Sequence, residues 1–195
     1  MQESFIKFAL EKKVLQFGDF TTKAGRKSPY FFNLGSFNDG DSLKRLGDFY
    51  ADKIIEENIE FDLLFGPAYK GISLVGAIAI SLANKGINKK FSSNRKEVKD
   101  HGEGGLIIGA PISGKILIID DVISAGTSIN ESFSLINQCD AKTLGIIVSI
   151  DRKEKGSEKL SAIEEIYKKY KVPVKSIINL DNIISFLQKD TKNKK

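Results

Sequence analysis

Two adjacent carboxylates at the end of an apolar run are the residues in this chain best placed to do chemistry. In Ile116-Leu117-Ile118-Ile119-Asp120-Asp121-Val122-Ile123-Ser124-Ala125-Gly126-Thr127-Ser128, the apolar residues stop abruptly at Asp120 and Asp121, and a loop of small residues follows. Gly126 lets the backbone turn tightly, so the amides from Ser124 to Ser128 can converge at the N-terminus of the next helix. The helix dipole and the Ser and Thr hydroxyls there favour an anion. Asp120 and Asp121 stand where they can accept hydrogen bonds from sugar hydroxyls. A phosphate beside a sugar diol describes a ribose 5-phosphate. The plainer alternative is a strand-turn-helix whose aspartates cap the helix, but neighbouring carboxylates repel and make poor structural material without a ligand or cation.

Three further segments carry chemistry. Gly66-Pro67-Ala68-Tyr69-Lys70-Gly71 follows the apolar stretch Phe61 to Phe65 and precedes a helix, and its lysine can meet a pyrophosphate; the alternative is an ordinary turn. Arg95, Lys96, Lys99 and His101 lie in a polar stretch that ends in Gly102, Gly104 and Gly105. Cations on a glycine-hinged segment suit a lid closing over an anionic leaving group, although a solvated charged loop has the same composition. Phe31 and Phe32 could form an apolar wall for a flat ring, with Arg152 as a bidentate partner for a carboxylate; taken singly, two phenylalanines serve equally well as core. Gly109-Ala110-Pro111-Ile112-Ser113-Gly114-Lys115 has the spacing of a nucleotide-binding P-loop up to its lysine. Ile116 then replaces the magnesium-binding hydroxyl, and the segment precedes a strand instead of following one, so the match is rejected.

The elements that must position these groups alternate regularly. Phe5, Ile6, Ala9 and Leu10 predict a short opening helix, and Val14 to Leu34 predicts two strands around Lys23-Ala24-Gly25-Arg26-Lys27. Asp41 or Ser42 is expected to cap a helix running to about Asn58. Strands are then expected at 61–65, 88–91, 116–119, 144–150 and 174–178, and helices at 72–85, 128–138, 161–170 and 181–187. Apolar β-branched strands between amphipathic helices predict an α/β fold with a mainly parallel sheet covered on both faces. In such sheets ligands bind at the carboxyl ends of strands, which is where the candidate residues lie.

A chain of 195 residues with 41% apolar and 28% charged residues suits one compact globular domain spanning 1–195. The longest apolar run, Leu74 to Ala83, is about half of a bilayer crossing, and no signal peptide is visible, so a cytoplasmic location is expected. The one cysteine, Cys139, fits a reducing compartment and reads as helix-end packing. Much of the net charge of +5 sits in the tail from Lys189, expected as a solvated end, and between Lys89 and His101. Such charge serves a small polyanion as well as a nucleic acid.

The segment from Asp120 to Ser128 resembles the phosphoribosyl pyrophosphate (PRPP) motif of type I phosphoribosyltransferases. From Phe5 to about Leu187 the chain resembles the bacterial orotate phosphoribosyltransferases. Segments 20–33, 66–71, 94–105 and Asp151-Arg152 carry that likeness together with the phosphate motif. The resemblance implies the type I fold with a small N-terminal hood, formed mainly by about 1–40 with C-terminal elements, and a flexible catalytic loop at about 94–106. It implies transfer of 5-phosphoribosyl from PRPP to orotate, giving orotidine 5′-monophosphate and pyrophosphate in pyrimidine (UMP) biosynthesis. Lys99, Asp120 and Asp121 are implied as catalytic. PRPP contacts are implied for Lys23, Tyr69, Lys70, Arg95, Lys96, Lys99 and His101, and for Asp120, Asp121, Val122, Ile123, Ser124, Ala125, Gly126, Thr127 and Ser128. Orotate contacts are implied for Phe31, Phe32, Ser124 and Arg152; at Ser124 the family usually carries threonine, and the hydroxyl survives. The family further implies a non-proline cis peptide in 66–71 and a homodimer with shared sites, Arg95 and Lys99 reaching the partner while Lys96 serves its own subunit. Magnesium (Mg2+) is expected to bind through PRPP oxygens, with Asp120 and Asp121 as the nearest protein carboxylates. No membrane and no nucleic acid is expected as partner. Two rivals remain: a type I phosphoribosyltransferase acting on another base, against which Phe31, Phe32 and Arg152 argue, and a PRPP-binding regulator, which calls for a dense basic stripe.

Overall fold

The computed structural model describes residues 1–21, 25, 27–99, 105–123, 126–154 and 160–193, without the side chains of 98, 99 and 190–193. Helix α1 (Gln2–Glu11) leads into the antiparallel pair β1 (Leu15–Thr21) and β2 (Lys27–Phe32), a two-stranded sheet of its own. Helix α2 (Gly40–Glu56) follows, then β3 (Leu63–Gly66), α3 (Lys70–Asn84), β4 (Lys90–Lys99), β5 (Gly105–Gly109) and β6 (Gly114–Ile119). Helix α4 (Thr127–Ile136), β7 (Ala141–Asp151), α5 (Ala162–Tyr170), β8 (Val174–Asn179) and α6 (Leu180–Asn193) complete the order. The main sheet runs β5-β4-β3-β6-β7-β8, and every neighbouring pair is parallel except β4 with β5.

Alternation along the central strands explains the two cores. Leu64, Leu117, Ile119 and Ile147 face α1, α2 and α3, where they meet Phe5, Phe8, Leu46, Tyr50, Leu74 and Ile78. Leu63, Phe65, Ile116, Ile118, Ile146 and Val148 face the other way, against Ile129, Phe133 and Ile166 of α4 and α5. Because both faces are covered, these strands are apolar throughout instead of alternating with polar residues. Among the described residues no helix is long and apolar enough to cross a membrane.

The structure departs most from the sequence reading at the β4–β5 ribbon, the start of α2 and the end of α6. The strand expected at 88–91 extends to Lys99 and pairs with an unforeseen antiparallel strand, β5, so the polar stretch from Asn94 to Lys99 is a strand, not a loop. Beyond Ser93, β4 leaves β3 and pairs only with β5, and its polar run from Asn94 to Glu97 has no apolar alternation to announce a strand. Helix α2 is capped by Asp39, whose carboxylate accepts from the Ser42 amide at 2.7 Å, instead of by Asp41 or Ser42. Finally, α6 continues to Asn193 through part of the lysine-rich tail, where no Gly or Pro stops it.

Candidate active site

Strands β3 and β6 lie side by side and end at the same edge, so the loops that follow them face one another. The first of these loops depends on two glycines. A Cβ on Gly66 would fall 2.3 Å from the Gly71 carbonyl oxygen, so only glycine lets the strand end and the start of α3 pack this closely. Between them the Ala68–Tyr69 peptide is cis, as the resemblance implies. The Ala68 amide donates to Asn94 Oδ1 at 2.9 Å, and that of Gly71 to the Pro67 carbonyl at 3.1 Å. Among the described residues no acceptor meets the amides of Tyr69 and Lys70.

The second loop starts at the aspartates. Asp120 and Asp121 are buried at the end of β6, and the Lys70 ammonium donates to Asp121 Oδ2 at 2.5 Å, joining the two loops directly. Asp120 Oδ2 accepts from the Ser128 hydroxyl at 2.7 Å, and its Oδ1 accepts from the Asp121 amide at 2.8 Å. Burial, followed by the adjacent Asp121 charge, pushes the Asp120 carboxyl up to about 6. Gly126 caps α4 at φ +69, a left-handed conformation suited to glycine, and among the described residues no side-chain cap accepts from the first amides of the helix. Those amides and the positive end of the dipole are free for an anion.

Beneath the aspartates is a support that sequence reasoning did not find. The fully buried Tyr50 of α2 donates its hydroxyl to the Asp120 carbonyl at 2.8 Å. Ser149 of β7, also fully buried, gives the Asp121 carbonyl both its hydroxyl at 2.5 Å and its amide at 3.0 Å. Burial first, then the Asp121 charge, holds the Tyr50 phenol well above its ordinary range, so it stays a donor. In sequence, Tyr50 is one more apolar position on the inner face of α2 and Ser149 a polar interruption in a β-branched run.

The remaining candidates are distributed around this centre. Lys96 pairs with Glu131 of α4 at 2.7 Å, linking the β4–β5 ribbon to the helix that opens at Gly126. The Arg95 guanidinium donates to the carbonyls of Gly105 and Ile107 at 3.2 and 2.9 Å, which fastens the ribbon to itself. Arg152, just past β7, lies over the Tyr30 ring at 5.0 Å, bonds the Tyr30 hydroxyl at 3.3 Å and pairs with Glu154 at 2.9 Å. Tyr30 was not singled out from the sequence as a site residue. Phe31 and Phe32 do not form one wall: successive residues of β2 point to opposite faces, so Phe31 is exposed and stacked on Phe20 at 5.4 Å, while Phe32 is in the core. Ile123 is buried, Val122 half-buried and Thr127 exposed. Lys23, His101, Ser124, Ala125 and the Lys99 side chain lie outside the described residues. Cys139, just past α4, is half-buried and approaches the Leu135 carbonyl at 3.7 Å.

Comparison with known proteins gives a consistent picture. The phosphoribosyl transferase domain family matches residues 33–181. An orotate phosphoribosyltransferase of Nitrosomonas europaea is 60% identical over 95% of this chain and 82% of its own length. That of Thiobacillus denitrificans is 54% identical over 95% and 88%. The crystal structure of orotate phosphoribosyltransferase from Francisella tularensis superposes with a TM-score of 0.88 at 43% identity, covering 95% of this chain and 90% of that one.

Proposed function

The chain belongs to the orotate phosphoribosyltransferases, and from that premise we propose that it transfers the 5-phosphoribosyl group of PRPP to orotate, forming orotidine 5′-monophosphate and pyrophosphate in pyrimidine biosynthesis. The observation that carries the reading is the joining of the two facing loops by Lys70 and Asp121 at the carboxyl edge of the sheet. The 5′-phosphate takes the amides at the start of α4, and the ribose hydroxyls donate to Asp120 and Asp121. The pyrophosphate takes the unpaired amides of Tyr69 and Lys70 together with the cations of Lys70, Arg95, Lys96, Lys99 and His101; Lys23 serves PRPP as well. Lys70 then exchanges its ion pair with Asp121 for the anionic ligand. Pyrophosphate leaves C1 as a ring nitrogen of orotate arrives from the other face, through a transition state with positive charge on the sugar. Fixed cations around the departing oxygens lower that barrier because they need no reorganisation as charge develops. Withdrawal of water by the β4–β5 ribbon strengthens each of these contacts.

The donor set suits a magnesium ion carried in on the substrate. Among the described residues no group of three or more His, Cys, Asp or Glu could hold a metal, and the two adjacent carboxylates at the ribose position match the few protein ligands this ion prefers. When bound, magnesium would neutralise charge on the pyrophosphate. Orotate is received by Arg152 and Ser124, with Phe31 as the aromatic surface; its carboxylate shares the guanidinium now paired with Glu154. The short N-terminal sheet of β1 and β2 acts as a hood over the base. We place the enzyme in the cytoplasm, in keeping with its lone free cysteine. A homodimer with Arg95 and Lys99 reaching the partner's site is part of this reading, and large apolar side chains exposed on α3 and β4, Ile80 at 65% and Phe91 at 43%, are available to such an interface.

Mixing the protein with orotate, PRPP and magnesium and following the ultraviolet absorbance of orotate tests the reading. Loss of orotate absorbance that requires PRPP is expected. Unchanged absorbance with orotate, alongside turnover of a purine or uracil, would assign the enzyme another base.

A further inference from the structure

The ladder between β3 and β4 ends at Gly66 opposite Ser93. There the strands part: β3 enters the loop that opens α3, and β4 becomes the polar ribbon with β5. Asn94 stands at the fork. Its Oδ1 accepts from the Ala68 amide at 2.9 Å, and its Nδ2 donates to the Arg95 carbonyl at 3.2 Å. The two partners fix the amide's orientation, since an N–H needs an acceptor and a carbonyl needs a donor. The side chain thus continues by one rung a ladder that the backbones have abandoned, and it withholds the Ala68 amide from any ligand. The next two amides, of Tyr69 and Lys70, remain unpaired among the described residues.

We propose that Asn94 is a positioning residue for pyrophosphate: it sets the loop so that the Tyr69 and Lys70 amides point at the anion, and it fixes that loop relative to the ribbon carrying Arg95 and Lys96. The proposal rests on the reading of 66–71 as the pyrophosphate loop. Only an uncharged amide meets both needs. Aspartate would keep the acceptor, but it would face the Arg95 carbonyl with no donor and bring negative charge beside a polyanion. Alanine would leave both partners unmet.

Equilibrium binding to Asn94→Ala, Asn94→Asp and Lys70→Ala separates the possibilities, using PRPP and orotidine 5′-monophosphate, which shares the ribose phosphate but lacks pyrophosphate. Both Asn94 variants are expected to weaken PRPP roughly ten-fold or more while shifting the nucleotide by less than about two-fold. The KM for pyrophosphate in the reverse reaction rises in step, while the KM for the nucleotide holds. Equal weakening of both ligands would mean a general packing defect and would overturn the proposal. Unchanged PRPP affinity in the Asn94 variants would also overturn it. If Lys70→Ala alone then weakens PRPP, the loop assignment stands without Asn94; if it does not, the loop assignment falls too.

Discussion

Strands β3 and β6 are neighbours, and each runs into a loop that opens a helix, yet the two loops are held in different ways. The loop after β6 is supported from below, by buried hydroxyls of Tyr50 and Ser149 on the carbonyls of Asp120 and Asp121. The loop after β3 is held from the side, by the half-buried Asn94 on a ribbon that has already left the sheet. Rigid backing suits the half of the site that grips a ribose phosphate present in both substrate and product. Lateral support from a solvated ribbon suits the half that must release pyrophosphate, because elements with few buried contacts open at lower free energy.

The largest effect should come from the backed loop. Gly126→Val places a β-branched residue at φ +69, with its Cβ 3.3 Å from Ile166 Cδ1. The strain costs about 1–3 kcal/mol of stability, and the turned amides lose their convergence, so PRPP binding should vanish in calorimetric titration. Orotidine 5′-monophosphate should be lost with it, unlike in the Asn94 variants. Retained PRPP affinity would move the phosphate away from this loop.

How much of this was legible beforehand follows the same division. The β6 loop could be read because an apolar strand, two carboxylates and a glycine-led helix start are contiguous in the chain. The parallel sheet was legible for a related reason, since strands buried on both faces are written as continuous β-branched runs such as Ile116 to Ile119. Its supports were not legible: Tyr50 and Ser149 lie 70 and 28 residues from the carbonyls they hold, and neither an aromatic on a helix's inner face nor a lone serine in a strand names a distant partner. The β4–β5 ribbon was missed because β4 is polar from Ser92 to Glu97 and carries no hydrophobic period, while β5, Gly105–Gly109, offers only three apolar residues between glycines. Phe31 and Phe32 were paired in sequence by likeness, whereas the pleat of β2 sends them to opposite faces.

A second, intermediate effect concerns the cost of the buried carboxylates. Folding raises the Asp120 carboxyl from its ordinary 3.8 to about 6. A carboxyl raised in the folded state stabilises fully below pH 3.8, and that contribution is lost as the pH climbs through about 6. Above that range the ionised, buried group costs the fold at most about 3 kcal/mol. Asp120→Asn removes the charge, and an amide can still accept from the Asp121 amide while donating to Ser128. Its melting temperature should therefore exceed that of the parent at pH 7.5, with the gap closing as the pH falls below 4. PRPP affinity should fall in the same variant, because a ribose hydroxyl loses a charged acceptor. A variant no more stable at pH 7.5 would show that the bonds from the Asp121 amide and the Ser128 hydroxyl already offset the burial.

The smallest effect should come from the ribbon's outer tie. Lys96 and Glu131 are 2.7 Å apart, but their side chains are 37% and 52% exposed. Exposed pairs of this kind contribute roughly 0.2–1 kcal/mol, because water screens the attraction and both side chains lose rotamer freedom. Lys70 and Asp121 differ in that Asp121 is nearly enclosed, and removing Lys70 would leave a carboxylate with little water to replace it. Glu131→Gln should therefore shift urea unfolding by less than about 1 kcal/mol, and the shift should disappear in about 1 M salt, where the screening length falls to about 3 Å. The two bonds from Arg95 to the Gly105 and Ile107 carbonyls are untouched, so the ribbon keeps its own pairing while its link to α4 weakens. PRPP affinity should hold or rise slightly, since Lys96 no longer has to leave a carboxylate to meet an anion. A loss above about 2 kcal/mol, or one that high salt does not remove, would make this tie as firm as the supports under Asp120 and would erase the contrast between the two loops.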